Sequence, residues 1–222
     1  MDTVRIAELL TPFLHAPPGP PAFLTDAQLE QVSAYLNLLL RWNARINLTA
    51  VRDAESMVTR HFGESFFAAR QLLKKEEAGG RKPEAGERAI DLGSGAGFPG
   101  LPLKIFAPGL ALTLIESSQK KAAFLKEAVR ILALTGVDVF AGRGEDFPGT
   151  AALVTLRAVE RYEHALETAA RMVAPGGRLA LLIGSPQAAR TPRMLRTFSW
   201  QAPIAAPESS ARVLLVGTNP PG

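Results

Sequence analysis

The sequence contains no cysteine and only three histidines among its 222 residues. Disulfide bonds and thiolate metal sites are therefore excluded in this chain. The histidines, His15, His61 and His164, lie too far apart along the sequence to form a histidine metal motif. We therefore expect no metal site.

Long apolar runs are also absent, since no stretch approaches the roughly 20 residues that a membrane-spanning helix needs. The first ten residues, MDTVRIAELL, begin with an acidic residue and lack the basic start of a secretory signal. The hydrophobic content of 47% is nevertheless ample for a buried core. The expected protein is a cytoplasmic monomer that does not associate with a membrane.

Acidic residues are scarce in two segments, although the formal net charge is only +4. Residues 41–75 carry seven basic and three acidic residues, and residues 178–222 carry five basic and one acidic residue. Such a distribution suits a polyanionic partner such as RNA. A solvated surface with ordinary charge scatter explains it equally well.

The most informative stretch is AIDLGSGAGFPGLPLKIF, residues 89–106. An apolar run ends at Asp91 and breaks into four glycines before a helical pattern resumes, which predicts a strand, a tight loop and a helix around a nucleotide. The glycines alone also fit the dinucleotide pattern G-x-G-x-x-G. The segment Asp91-Leu-Gly93-Ser94-Gly95, however, resembles motif I of S-adenosylmethionine-dependent methyltransferases. A carboxylate there can meet the cationic amino group of that cofactor, whereas it would repel a pyrophosphate.

The order of the remaining elements predicts an α/β fold. Helical patterns at 2–14, 25–43 and 54–75 indicate an N-terminal helical extension over residues 1–75, and the charged segment 76–87 is interpreted as a linker. From residue 88 onward strands alternate with helices, which indicates a Rossmann-like domain over 88–222. The predicted strands are 88–92, 111–115, 137–140, 152–157, 178–183 and 212–216, and the predicted helices are 100–106, 118–134, 160–173 and 187–196. We expect a mostly parallel seven-stranded sheet with helices on both faces.

Residues just past the strands of such a sheet converge on one edge. Glu116 follows the second strand and is expected to accept the ribose hydroxyls of a nucleoside. Gly144 and Glu145 follow the third strand, and Arg157 ends the fourth, where it would contact the cofactor or the acceptor. Alternatively, Glu116 stabilises a helix N-terminus, Gly144 and Glu145 form a plain turn, and Arg157 forms a surface ion pair. His61 and Trp42 are expected to serve packing.

Six segments together resemble one family, the ribosomal RNA small-subunit methyltransferase G family, also called glucose-inhibited division protein B. They are LLLRWNARINLTAVRD (38–53), TRHFGES (59–65), IDLGSGAGFPGLPLKI (90–105), LIESSQKKAAFLKE (114–127), RGEDF (143–147) and LRA (156–158). The spacing of the WN-x-x-x-NLT segment, the Arg-His pair and the glycine loop is more specific than motif I alone.

The resemblance implies a class I methyltransferase that uses S-adenosylmethionine to methylate N7 of one guanine in 16S ribosomal RNA. Its substrate would be the RNA, the small ribosomal subunit or an assembly intermediate. By position, the cofactor contacts would be Gly93, Phe98, Gly144, Glu145 and Arg157, with Asp91, Ser94, Gly95 and Glu116 around them. Arg157 is also the one residue that we expect to have a positioning role in catalysis, in which it would orient either the guanine or the carboxylate of the cofactor.

The sequence departs from the family pattern on the acceptor side. Ile183 stands where the family has a lysine, Gly217-Thr218 replaces a lysine near the C-terminus, and Glu64 replaces an aspartate. These changes leave open a catalytically weak RNA-binding or assembly factor, or a methyltransferase with another RNA or a small-molecule acceptor. A NAD-dependent enzyme is a third possibility, which the carboxylate of Asp91 disfavours.

Overall fold

The structure, a computed structural model, describes residues 1–18, 20–73, 87–157 and 161–222. The helices are Thr3–His15 (α1), Asp26–Asn43 (α2), Ala54–Met57 (α3), Glu64–Leu72 (α4), Gly100–Phe106 (α5), Gln119–Ile131 (α6), Tyr162–Arg171 (α7) and Ser185–Met194 (α8). The strands are Arg88–Leu92 (β1), Ala111–Ile115 (β2), Val137–Phe140 (β3), Ala151–Arg157 (β4), Val173–Gly184 (β5), Ser199–Trp200 (β6), Ile204–Ala205 (β7) and Arg212–Thr218 (β8). Within these ranges no helix is long and apolar enough to cross a membrane.

The strands form one sheet in the order β3-β2-β1-β4-β5-β8-β6, and β7 also pairs with β8. Neighbours from β3 to β5 are parallel, whereas β8 runs antiparallel to β5. The predicted α/β fold with a mostly parallel sheet is confirmed. Within the described residues the sheet has eight strands rather than the expected seven. Six strands correspond to the predicted ranges, and β6 and β7, each of two residues, add to β8; strands this short leave no hydropathy pattern.

Helices cover both faces of the sheet. One core joins the sheet to α1, α2, α4, α5 and α6, and the other joins it to α7 and α8. Ala89 of β1 belongs to the first core, whereas Ile90 and Leu92 belong to the second. The N-terminal helices therefore share a hydrophobic core with the sheet. The predicted linker 76–87 lies outside the described residues except for Glu87.

The second helix is positioned by its cap and by its apolar face. Thr25 and Gln28 form the predicted capping box, and the Gln28 amide also donates to the carbonyl of Ile105 at 2.6 Å. Tyr35 is fully buried on the apolar face and stacks on Phe98 of the glycine loop with a centroid distance of 5.3 Å. The helix thus places an aromatic ring directly behind that loop.

The loop after α2 is organised by Asn43. Its buried side-chain oxygen accepts hydrogen bonds from the backbone of Leu48 at 2.9 Å and of Thr49 at 3.0 Å. Trp42 packs against Phe124 of α6, as expected for a core anchor, and its indole N–H donates to Glu127 at 3.0 Å.

The predicted helix over 54–75 is interrupted by a π-helical segment, Val58–Gly63, between α3 and α4. Tight packing contributes to this geometry, because a Cβ atom at Gly63 would lie 2.6 Å from the ring of Phe13. The hydrophobic pattern does not reveal the interruption, since a π turn changes the helical period only locally.

We expect Gly100→Ala to lower the free energy of unfolding by about 1–3 kcal/mol, because the added methyl group overpacks the core. A Cβ atom there would lie 2.6 Å from Leu114 and 2.8 Å from the carboxylate of Asp91. Urea unfolding measures the effect. The matched control is Gly109→Ala, since a Cβ atom at Gly109 meets nothing within 4 Å. Equal stabilities of the two variants would contradict the packing argument.

Candidate functional site

A cavity of about 720 Å³ opens at the carboxyl ends of β1, β2 and β3. Its floor includes Leu92 and Ile115, and one wall is formed by residues 142–146. The start of α7 also lines the cavity, through Arg161 directly before the helix and His164 in its first turn. Topology alone places ligands at this edge of a parallel sheet.

The glycine loop between β1 and α5 supplies a further part of the cavity wall through Gly93. Gly93, Gly95 and Gly97 have φ values of 69°, 58° and 88°, a backbone conformation that favours glycine. Gly97 and Gly100 also allow close packing, because a Cβ atom at either position would collide with the packed side chains of Leu101 or Leu114. Three glycines of the predicted cradle therefore form the turn, and Gly97 and Gly100 allow close helix packing.

Asp91 lies beneath this loop and is only 1% exposed. One carboxylate oxygen accepts the hydroxyl of Thr155 at 2.6 Å, and the other accepts the backbone N–H of Gly100 at 3.3 Å. Burial raises the pKa of Asp91 to about 6, against the opposing effect of these hydrogen bonds. The side chain holds the loop in place and does not line the cavity.

Ser94 and Phe98 are buried in the glycine loop and do not line the cavity. The Ser94 hydroxyl donates to the carbonyl of Asp91 at 2.8 Å, and its backbone N–H donates to Ile115 at 3.0 Å. The ring of Phe98 is 7% exposed and stacks between Tyr35 and His61, at 5.3 Å and 5.1 Å between centroids. Both residues support the loop from inside the protein.

Glu116 directly follows β2, as predicted, and is 7% exposed. One carboxylate oxygen accepts the backbone N–H of Gly95 at 2.8 Å, and the other accepts that of Ser118 at 2.7 Å. A carboxylate can accept about four hydrogen bonds, so Glu116 keeps acceptor capacity for a ligand. Its neighbours Ile115 and Ser117 line the cavity.

Gly144 and Glu145 line the cavity, where the sequence predicted them. A Cβ atom at Gly144 would lie 2.6 Å from Leu92 on the cavity floor, so a side chain there would displace that floor. The Glu145 carboxylate is bonded to the ring of His164 across the cavity. Its own backbone N–H and then His164 lower the pKa of Glu145.

Arg157 ends β4 and is 7% exposed, outside the cavity lining. Its guanidinium pairs with the buried carboxylate of Glu64 at 2.8 Å and donates to the π-segment carbonyls of Arg60 at 2.6 Å and His61 at 3.4 Å. Burial lowers the pKa of Arg157, while Glu64 opposes that effect. The residue that the sequence placed at the site therefore connects the sheet to the N-terminal helices.

His61 also contributes to the contact between the sheet and the N-terminal helices. Its Nε2 lies 2.7 Å from the hydroxyl of Thr49, and its Nδ1 lies 3.3 Å from the Arg157 guanidinium. Burial lowers the pKa of His61 to about 3, and the charges of Arg157, Arg60 and Arg212 add to this effect. A neutral ring lets Nδ1 accept from Arg157, which agrees with the predicted packing role.

The departures from the family pattern lie in three different environments. Ile183 is 3% exposed and packs in the core beneath α7 and α8. Thr218 pairs with Arg178 of β5, toward the end of the sheet opposite the cavity. Glu64 forms the buried ion pair with Arg157. The positions of Ile183 and Thr218 therefore do not remove charge from the cavity itself.

Several cavity residues were not selected from the sequence, notably Ser117, Arg161 and His164. The sequence analysis assigned no role to His164. Its approach to Glu145 depends on where α7 begins, and hydropathy does not fix a helix start to one residue. Within the described ranges, no group of three or more histidine, aspartate or glutamate residues could hold a metal ion.

We expect Glu64→Gln to destabilise the protein by about 3 kcal/mol, because it leaves the buried Arg157 guanidinium without its counter-ion. Urea unfolding at neutral pH measures the loss. The control is Glu55→Gln, which breaks the exposed pair with Arg5 and should leave the unfolding midpoint unchanged. A Glu64→Gln variant as stable as this control would show that the buried pair does not join the two layers.

Asp91 should make the folded state less stable as the pH rises. Its folded pKa of about 6 exceeds the ordinary 3.8, so between these values the folded state binds more protons than the unfolded state. Its contribution should fall by on the order of 2–3 kcal/mol from pH 4 to pH 6. Urea unfolding of wild type and Asp91→Asn at both pH values isolates this change, with the exposed Asp138→Asn as control. Identical pH profiles for wild type and Asp91→Asn would refute it.

Comparison with known proteins identifies the family. A family model described as rRNA small subunit methyltransferase G matches residues 28–200. Proteins named ribosomal RNA small subunit methyltransferase G are 37% identical in Caldanaerobacter subterraneus subsp. tengcongensis and 40% identical in Chloroflexus aggregans, each over 162 residues. These alignments cover 70% of this chain and 64% of each relative.

Solved structures of lower sequence identity share the fold. The ribosomal protein L11 methylase of Lactobacillus delbrueckii subsp. bulgaricus superimposes with a TM-score of 0.57 at 12% identity, over 72% of this chain and 79% of its own. A SAM-dependent O-methyltransferase of Thermotoga maritima gives a TM-score of 0.54 at 17% identity, over 71% and 64%. The fold, together with the family match over most of the chain, establishes that this chain belongs to the rRNA small subunit methyltransferase G family.

Proposed function

We propose that the protein is an S-adenosylmethionine-dependent methyltransferase that methylates N7 of a guanine in 16S ribosomal RNA. The observation that carries the proposal is the cavity at the ends of β1 to β3, which is lined by Gly93, Gly144 and Glu145 and by Ile115 and Ser117, the two neighbours of Glu116 in the chain. Family membership supports the choice of RNA as the acceptor. The substrate would be the RNA or a small-subunit assembly intermediate, and the enzyme would act as a cytoplasmic monomer.

The cavity fits the proposed cofactor in size and in chemistry. Its volume of about 720 Å³ is within the range of small-molecule sites. Gly93 brings bare backbone to the wall, and the absence of a side chain at Gly144 keeps the floor in place. Glu116 would accept the ribose hydroxyls, and the Gly144–Glu145 segment would hold the adenine edge. Asp91, Ser94, Gly95 and Phe98 would keep the loop in its binding conformation.

The reaction needs no general base from this chain. Guanine N7 carries an accessible lone pair and no proton, so the N7–CH₃ bond forms as the bond from sulfur to that methyl group breaks. The cofactor supplies a methyl group activated by its positive sulfur. The residues of this chain would hold the two reactants in line and exclude water.

Arg157 would act as a positioning residue in this reaction. Its contacts with Arg60, His61 and Glu64 join β4 to the π segment. The ring of His61 in turn stacks on Phe98 of the glycine loop. A change at Arg157 would therefore shift the π segment relative to the glycine loop, and with it the bound RNA relative to the cofactor.

Arg157→Lys keeps the positive charge but loses the planar guanidinium. We expect this variant to lower kcat by a larger factor than it raises the Kd for S-adenosylmethionine.

We expect Glu116→Gln to weaken S-adenosylmethionine binding by about 10- to 100-fold, because an amide replaces a charged acceptor for the ribose hydroxyls. Isothermal titration calorimetry gives the affinity, and thermal unfolding shows whether the loop remains intact. Glu167→Gln on the exposed side of α7 is the control and should bind as wild type does. Unchanged affinity in Glu116→Gln would remove Glu116 from the binding site.

The activity itself is tested with purified protein, labelled S-adenosylmethionine and small subunits that lack the modification. Incorporation of the label at guanine N7 supports the proposal, and alkaline cleavage at the modified base locates it. Binding of S-adenosylmethionine with no transfer to any RNA form would favour a binding or assembly factor. Binding of NAD without S-adenosylmethionine binding would instead contradict the cofactor assignment.

A further inference from the structure

Three arginines on and directly after α8 have no part in the cavity or in the loop. The segment Ser185–Arg196 contains Arg190, Arg193 and Arg196 but no lysine and no acidic residue. All three arginines are exposed. We name them the α8 arginine stripe.

The stripe lies on the side of α8 that faces away from the sheet. Ala188 and Thr191 are buried against the protein, and Arg190 and Arg193 occupy the opposite side of the same turns. With a rise of 1.5 Å per residue, Arg190 and Arg193 are separated by about 4.5 Å along the axis. The exposed Arg196 extends the row beyond the end of the helix at Met194. A row of charges of this length can contact more than one phosphate of a nucleic acid strand.

The stripe begins beside the mouth of the cavity. Tyr162, the first residue of α7, bonds through its hydroxyl to Thr191 of α8 at 2.5 Å. The Arg190 guanidinium lies 5.8 Å from the centre of the Tyr162 ring. Arg161, the residue before Tyr162, lines the cavity and is itself exposed. Positive charge therefore continues from the cavity wall onto α8.

Contacts hold the arginines in place without neutralising the row. Arg190 approaches Glu163 at 3.9 Å, a long pair in which both side chains are more than half exposed. Arg196 donates to the carbonyl of Arg193 at 3.4 Å, which keeps the two side by side. The helix dipole favours a basic residue in the last turn, such as Arg193, but gives no reason for Arg190. Like charges three residues apart repel, so the stripe works against helix stability.

We propose that the α8 arginine stripe binds phosphates of the RNA strand whose guanine enters the cavity. The proposal rests on the proposed function, because RNA is the polyanion that would have to reach this cavity. It also identifies where basic charge lies on this side of the molecule, since Ile183 is buried and Thr218 lies toward the end of the sheet opposite the cavity. The RNA would run from the cavity mouth along the outer side of α8.

The test compares two triple variants that each remove three positive charges. The first is Arg190→Gln/Arg193→Gln/Arg196→Gln. The control is Arg41→Gln/Lys126→Gln/Arg130→Gln, whose residues are exposed on α2 and α6, on the other face of the sheet. Binding to a 16S ribosomal RNA transcript and to unmethylated small subunits is measured by filter binding from 50 to 200 mM salt. Calorimetry gives the S-adenosylmethionine affinity in parallel.

We expect the stripe variant to lower the salt slope of RNA binding by roughly two units, since each lost phosphate contact removes about 0.7–0.9. Its KM for RNA should rise at least tenfold, while its S-adenosylmethionine affinity and its kcat stay at the wild-type values. The control should keep the wild-type slope. Should the stripe variant fail to fold, Arg193→Gln/Arg196→Gln leaves the Tyr162 contact intact and should lower the slope by more than one unit.

An equal loss of slope in the stripe variant and the control would overturn the proposal, because it would show a general effect of net charge. A wild-type slope in the stripe variant would also overturn it, as would loss of binding to vesicles of anionic lipid without loss of RNA binding. Failure of the proposed function is distinguishable. If the wild-type protein transfers no methyl group but the stripe variant still loses its salt slope, the proposed reaction is refuted. The proposal that the stripe binds RNA would then still be supported.

Discussion

The buried carboxylate of Asp91 is the contact on which the site depends. It lies at the end of β1 and joins three elements, because it bonds to Thr155 on the neighbouring strand β4 and to the first turn of α5 at Gly100. The Ser94 hydroxyl closes the loop back onto the carbonyl of Asp91. An ionisable group that is 1% exposed is costly in a hydrophobic core, which is the reason that its pKa rises to about 6. Its hydrogen bonds offset that cost only while the loop keeps this one conformation.

The second constraint is the contact between the sheet and the N-terminal helices. Arg157 leaves β4 and pairs with Glu64 of α4 while it bonds to two carbonyls of the π segment. Breaking a buried pair is far more costly than breaking an exposed one, so this contact fixes the relative position of the two layers. His61 and Phe98 stack at this contact and transmit its position to the glycine loop. Both the hydrogen bonds of Asp91 and the packing of the N-terminal helices thus hold the glycine loop in its conformation.

Much of this arrangement could be predicted from the sequence. The apolar run before Asp91 and the glycines after it indicated the strand, the loop and the helix, and α5 begins and ends where predicted. Gly93, Gly144 and Glu145 could be placed at the cavity because residues past parallel strands converge on one edge. The roles of Asp91 and Arg157 could not be predicted, since their partners Thr155 and Glu64 are distant in sequence and only the packed fold brings them near. The π segment was also missed, because a local change of period is too small for a hydropathy pattern to detect.

Ile183 lies in an environment that the comparison with a family lysine did not indicate. Compared with a family lysine, the residue suggested a weakened RNA surface. In the structure, Leu179, Leu181 and Ile183 alternate along β5 toward the core beneath α7 and α8. A central strand that is buried on both faces reads as a continuous apolar run, so the sequence alone did not separate its two sides. The basic charge near the cavity lies on Arg143, which belongs to the quoted RGEDF segment, and on Arg161 and the α8 arginine stripe, which follow no family motif quoted from the sequence.

The central claim is that this fold transfers a methyl group to guanine N7 of 16S ribosomal RNA. Mass spectrometry of that RNA, from a strain that lacks the gene and from the same strain carrying it again, tests the claim most directly. The account predicts that one N7-methylguanine disappears from the deleted strain, returns with the wild-type gene and stays absent with the Glu116→Gln gene. An unchanged set of methylated nucleotides in the deleted strain would contradict the account.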